Sequence, residues 1–187
     1  MVKEKDVQGS RANKAGKKLE EMVAGEFIKH SVYPMSYRDW VDGGNMNVKG
    51  TLVKNVPYIN IYGHTGRTEF VLVRDGFTNV RIECRSQQVA GSVDEKLPCL
   101  FENSVACEER TVILVVEGNG FKKGAKQWLT DKAAAVRHKN IYVMSFAELQ
   151  KWVDEILGTK TTKVKRVYHG RKATGTTYRG KARRARS

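Results

Sequence analysis

Residues 111–116, Thr-Val-Ile-Leu-Val-Val, form an unbroken apolar run rich in β-branched side chains. Such side chains favour extended backbone, and a run with no polar alternation has no side meant for water. It fits a central strand covered on both faces, as in sheets flanked by helices. Residues 123–136 and 146–157 read as helices, residues 141–144 as a short strand, and Gly118-Asn119-Gly120 as the turn that ends the central strand.

Upstream, Ser10 is a candidate N-cap for a helix running to about His30, with Ala15, Leu19, Met22, Val23 and Phe27 as its apolar stripe. Residues 32–37 read as an extended segment and residues 38–56 as a Gly- and Asn-rich loop. Three β runs follow, at residues 58–62, 69–73 and 80–85, joined by turns at 63–67 and at Asp75-Gly76. Residues 91–107 read as a helix with Ser92 at the cap, Glu95 at capping-box spacing, and Pro98 interrupting it early. The order α-β-β-β-α-β-α-β-α predicts an α/β fold with a mixed central sheet flanked by helices. No internal repeat is present.

The 187 residues suffice for one domain, residues 1–157, plus an appendage, residues 158–187. The net charge of +14 is unevenly placed. Residues 158–187 hold 11 of the 34 Lys and Arg and none of the 20 acids, so the body is only +3 (23 minus 20). A tail this basic, with Tyr168 and Tyr178 among Gly and Thr, has a nucleic-acid-binding composition and is expected to be disordered when unbound. Its candidate phosphate contacts are Lys163, Lys165, Arg166, Arg171, Lys172, Arg179, Lys181, Arg183, Arg184 and Arg186. The N-terminus has no apolar signal core, no segment is apolar enough to span a bilayer, and Cys84, Cys99 and Cys107 match no metal pattern. A cytoplasmic setting with reduced thiols is expected.

The chemistry concentrates in residues 80–88. On a strand, Glu83, Arg85 and Gln87 share one face while Ile82 and Cys84 take the other. A carboxylate, a cation and an amide are costly to bury together unless they meet something charged. A divalent metal and a phosphate fit that need, which is the layout of a phosphodiesterase site. Two plainer readings stand beside it. Asp75-Gly76 is also a good turn, and Glu83 also has Arg81 or Arg85 as an ion-pair partner on its own face.

With an N-terminal acidic helix, a β-meander carrying an acid, and Glu-x-Arg on the next strand within IECRSQQVAGSVDEKLP, residues 10–157 resemble the PD-(D/E)xK nuclease superfamily. The longer string is similar to phage-encoded and restriction-like members. The resemblance implies a restriction-endonuclease-like αβββαβ core and a Mg2+- (or Mn2+-) dependent DNA endonuclease, possible as a homodimer. It implies metal ligation by Asp75, Glu83, the Cys84 backbone carbonyl and Glu20, with Arg85 at the lysine position and Gln87 at an amide position seen in relatives. Two positions depart from the pattern: Arg74 replaces the proline before the acid, and Arg85 replaces lysine. Arginine keeps its charge, so it stabilises phosphate but cannot act as a base. The alternatives are a catalytically impaired DNA-binding protein of the same fold and a basic RNA-binding protein.

Overall fold

The computed structural model describes residues 3–44, 50–73, 79–89 and 92–158, with side chains described from residue 14 onward except at 92 and 93. Asp75 and the ten candidate phosphate contacts of the tail lie outside the described residues.

Six strands form one sheet in chain order: β1 (Pro34–Ser36), β2 (Thr51–Ile59), β3 (Thr65–Val73), β4 (Val80–Ser86), β5 (Thr111–Glu117) and β6 (Asn140–Met144). β2, β3 and β4 run antiparallel, whereas β1 is parallel to β2, and β4, β5 and β6 are mutually parallel. The sheet is therefore mixed, as its sequence predicts. Val112 through Val116 are all fully buried in β5. Ile113 and Val115 join one cluster, with Leu19, Val23 and Phe27 of α1 (Lys3–Lys29) and Leu149 and Val153 of α5 (Phe146–Leu157). Val112, Leu114 and Val116 join the other, with Leu97, Leu100 and Phe101 of α3 (Leu97–Ala106) and Leu129 of α4 (Lys123–Ala135). The central strand thus has a helical layer on each face, which is why its sequence needs no polar side.

Several boundaries differ from the sequence reading. Ser10 lies inside α1, which begins at Lys3, because residues 3–9 carry mostly adequate helix formers. Residues 38–56 are not all loop. A short α2 (Tyr37–Asp42), capped by Ser36 accepting from the Asp39 amide, is followed by β2, whose Leu52 and Val53 are fully buried. The first long strand is therefore earlier than residues 58–62. Its turn is earlier too: the Asn60 side chain accepts from the amides of Tyr62 and His64, and Gly63 takes φ +78°. Pro98 does not interrupt a helix. It sits in the first turn of α3, where its missing N–H costs nothing, after a 3-10 turn at Ser92–Lys96. At α5, Ser145 and Glu148 close a capping box.

The sheet does not stay whole along its length. β2 and β3 remain paired out to Ile59–Thr65, but β3 and β4 stop pairing at Phe70–Ile82. Beyond that point β2 and β3 leave as a two-stranded ribbon. The ribbon's Ile61 amide donates to Asn103 of α3, on the far face of the sheet. Asn55, in β2 between the Phe70 and Thr68 pairs, adopts φ +56°, a left-handed value that asparagine tolerates better than most residues. The sheet forks there.

Candidate active site at the fork between β3 and β4

The fork leaves strand edges without their usual partners. Continuing the Phe70–Ile82 register by one residue sets Glu69 directly across from Glu83. The Cys84 amide, which has lost β3 as a neighbour, donates instead to Glu69 Oε2 at 3.2 Å. Glu69 is thereby tied to the backbone of β4.

Glu83, Arg81 and Arg85 point to the α3/α4 side of the sheet, being in register with Leu114, Val112 and Val116. The side chain of Glu83 is only 1% exposed. Both of its oxygens are occupied. Arg81, equally buried, brings Nε and Nη2 onto Oε1 at 2.7 and 2.6 Å, and Arg85 Nη2 reaches Oε2 at 3.1 Å. The ion-pair reading of Glu83 is therefore present in the structure, with both arginines, although the carboxylate is buried rather than exposed.

Arg85 gathers more than Glu83. Its Nη1 also donates to Glu69 Oε1 at 2.8 Å and to the Cys84 carbonyl at 2.7 Å. Three hard oxygens, from two carboxyl groups and one backbone carbonyl, converge on one cationic group. Hard oxygen donors of this kind, with one or two carboxylates among them, suit Mg2+. The guanidinium is the stand-in cation, and the donor set fits a divalent ion.

Electrostatics separates the two carboxyl groups. Burial, then the hydrogen bond and charge of Glu83, push the Glu69 carboxyl up to about 8 despite Arg85. Burial also works to raise Glu83. The hydrogen bond with Glu69 and the charges of Arg85 and Arg81 outweigh it and hold Glu83 below the ordinary carboxylate range. At neutral pH the pair therefore shares one proton, held on Glu69, as two facing carboxyl groups do. The Cys84 thiol is raised well above its ordinary value by burial, then by Glu69 and Glu20, and stays protonated.

Glu20 approaches from α1. Burial raises its carboxyl, against the lowering charges of Lys54, Arg85 and Lys17. Glu20 thus feels the charge of Arg85, the same side chain that bonds Glu83 and the Cys84 carbonyl. Gln87 is turned elsewhere: it is buried, and its Nε2 donates to the Gly120 carbonyl at 2.8 Å. The Gly120 amide returns a bond to the Gln87 carbonyl. Gly118, at φ +110°, has no room for a side chain, since a Cβ would strike that same carbonyl. The Gly118-Asn119-Gly120 turn therefore docks on the chain leaving β4.

The residue that sequence reasoning missed is Glu69. A second group it passed over is Glu26, His30 and Asp154, whose potential ligand atoms lie within 4.8 Å of one another. Glu26 Oε2 there accepts from Lys29 and Gln150, and His30 pairs with Asp154 at 3.0 Å. These contacts clamp the end of α1 to α5.

Among the described residues no helix is long and apolar enough to cross a membrane. No curated protein matches the sequence. The family model of the PD-(D/E)XK nuclease superfamily domain matches residues 11–157, which takes in α1 from residue 11 onward, the whole sheet and the fork. The chain belongs to the PD-(D/E)XK nuclease superfamily.

Proposed function

We propose that this chain is a divalent-metal-dependent deoxyribonuclease, with Mg2+ or Mn2+ held at the fork. The observation that carries the reading is the convergence of Glu69, Glu83 and the Cys84 carbonyl on a single cationic group. Those three oxygens would hold the metal, with Glu20 completing its surroundings from α1. When bound, the metal supplies a more acidic water and neutralises charge building on the phosphate. The acid assigned by resemblance to Asp75 is, in this reading, supplied by Glu69 across the strand pair.

Arg85 has two tasks. Its contacts with Glu69, Glu83 and Cys84 hold the oxygens together, and a metal needs the same oxygens. To free those oxygens for a metal, Arg85 would have to turn its guanidinium away from them. The released fork matches two phosphate oxygens at once. It has no proton to lose at working pH, so Arg85 stabilises charge and leaves proton removal to other groups. Gln87 is assigned to fixing the end of β4 rather than to substrate. The tail, including Lys163, Lys165 and Arg166, contributes nonspecific phosphate contacts whose strength falls with salt.

The test is cleavage of supercoiled plasmid by the full chain with Mg2+ or Mn2+. Cleavage should vanish with chelator and in Glu83→Gln and Glu69→Gln. Equal cutting by these variants contradicts the reading. One observation favours a second reading, a nucleic-acid binder that does not cut: two guanidiniums already neutralise Glu83. Arg85→Lys separates the two, since a large gain in cutting marks an impaired native site.

A further inference from the structure

The proposed mechanism uses Arg85 and leaves the second arginine on Glu83 without a task. Arg81 is an unusual residue to find there. Its side chain is 1% exposed, it lies on the α3/α4 face among apolar residues, and it is the largest fully buried side chain among the described residues. Burying a guanidinium is expensive unless all its needs are met. Glu83 meets the charge, and the Tyr58 ring meets the face, with the guanidinium carbon 3.8 Å from the ring centroid. Tyr58 comes from the ribbon that peels away at the fork. Its ring lies over Gly66 of the paired strand, filling the space a side chain there would take.

The two arginines treat Glu83 differently. Arg81 places two of its nitrogens, Nε and Nη2, on one oxygen, Oε1, from an enclosed position. Arg85 reaches the other oxygen, Oε2, at a longer 3.1 Å, and its side chain is 30% exposed. One oxygen of Glu83 is therefore committed to a partner inside the protein, and the other is held by a side chain with access to solvent.

This asymmetry constrains any cation at the fork. A carboxylate with one oxygen committed can offer only the other, so it ligates through a single atom. Ca2+ gathers six to eight oxygens and readily takes carboxylates through both oxygens, whereas Mg2+ keeps several waters and near-ideal octahedral angles. Single-oxygen ligation costs the larger ion more than the smaller. From the geometry we infer that Arg81 is a positioning residue that restricts Glu83 to Oε2 and so biases the site toward Mg2+ over Ca2+. The inference rests on the proposed metal site and adds to it the residue that selects the ion.

The test is isothermal calorimetry of Mg2+ and Ca2+ binding to the full chain, read as the ratio of the two affinities. Arg81→Met frees Oε1 and should raise the Ca2+-to-Mg2+ ratio by about tenfold or more, the scale on which outer partners of metal ligands act. Arg81→Lys keeps a cationic donor on Oε1 and should hold the ratio near that of the native protein. Tyr58→Ala removes the backing ring and should move the ratio the same way by less, and it carries the test if Arg81→Met does not fold. Leu149→Ala, in α5 and buried on the opposite face of the sheet, should lower the unfolding temperature without moving the ratio. A ratio unchanged in Arg81→Met, or in Tyr58→Ala should that variant stand alone, overturns the inference while leaving the metal site intact. Failure of the native chain to bind either ion overturns both.

Discussion

Glu69→Gln should make the metal-free protein more stable above pH 7 while destroying the proposed metal site. Glu69 is held protonated up to about pH 8, against 4.5 for an ordinary glutamate. Its folded value is raised, so its stabilising contribution is complete below about pH 4.5 and is lost as pH rises through about 8. Each pH unit between is worth about 1.4 kcal/mol, so keeping the proton at pH 7 costs at most about 3.5 kcal/mol. The side chain is 20% exposed, and solvent screening brings this nearer to about 2 kcal/mol. Glutamine is neutral at every pH and removes that cost. It also gives up one acceptor, because Glu69 takes bonds from both Arg85 and the Cys84 amide, at a cost of about 1 kcal/mol. The variant should therefore match or fall below the native chain near pH 5 and exceed it by about 1–2 kcal/mol above pH 7. Urea unfolding with chelator at half-unit steps from pH 5 to 9 reads the difference directly. Parallel stability curves for the two proteins refute the shared-proton description of the fork.

Metal binding should release a proton on average at pH 7, because the ion displaces it from Glu69, and calorimetry in buffers of different ionisation enthalpy counts it. Arg85→Ala should bind Mn2+ at least about tenfold more tightly, since the competing guanidinium is gone, yet cut DNA far more slowly; weaker binding contradicts the exchange. Gly118→Ala should cost about 1–3 kcal/mol through a left-handed backbone and the collision with the Gln87 carbonyl, measured as a lower urea midpoint. Removing residues 159–187 should flatten the salt dependence of DNA binding while leaving metal affinity unchanged, as seen by anisotropy at several salt concentrations.

The parts of this molecule that were legible in sequence are those where one physical demand dominates. Residues 112–116 need burial on both faces, and their composition allows nothing else. The α1 stripe of Leu19, Val23 and Phe27 is likewise written in its spacing. The early strand was hidden because Lys54 and Asn55 interrupt it and Asn60 makes its turn through a side chain, which spacing does not reveal. Pro98 has two structural meanings, and only the position of the helix start separates them. Within the site, Glu83 and Arg85 stood out as charges on an apolar strand. Glu69 did not, because one acid in Thr-Glu-Phe-Val-Leu-Val reads as the solvent side of an edge. A signal was available: a hairpin symmetric about residue 76 sets position 69 opposite position 83. Asp75, read from sequence as a turn residue, drew attention by its residue type, whereas register depends on both strands at once.

Anomalous diffraction at the manganese edge from a crystal soaked in Mn2+ locates the ion without reference to activity. One strong peak is expected within ligand distance of the carboxyl groups of Glu69 and Glu83 and the carbonyl of Cys84, with the guanidinium of Arg85 turned away. A peak only among Glu26, His30 and Asp154, or no peak with Arg85 still gripping all three oxygens, contradicts that expectation.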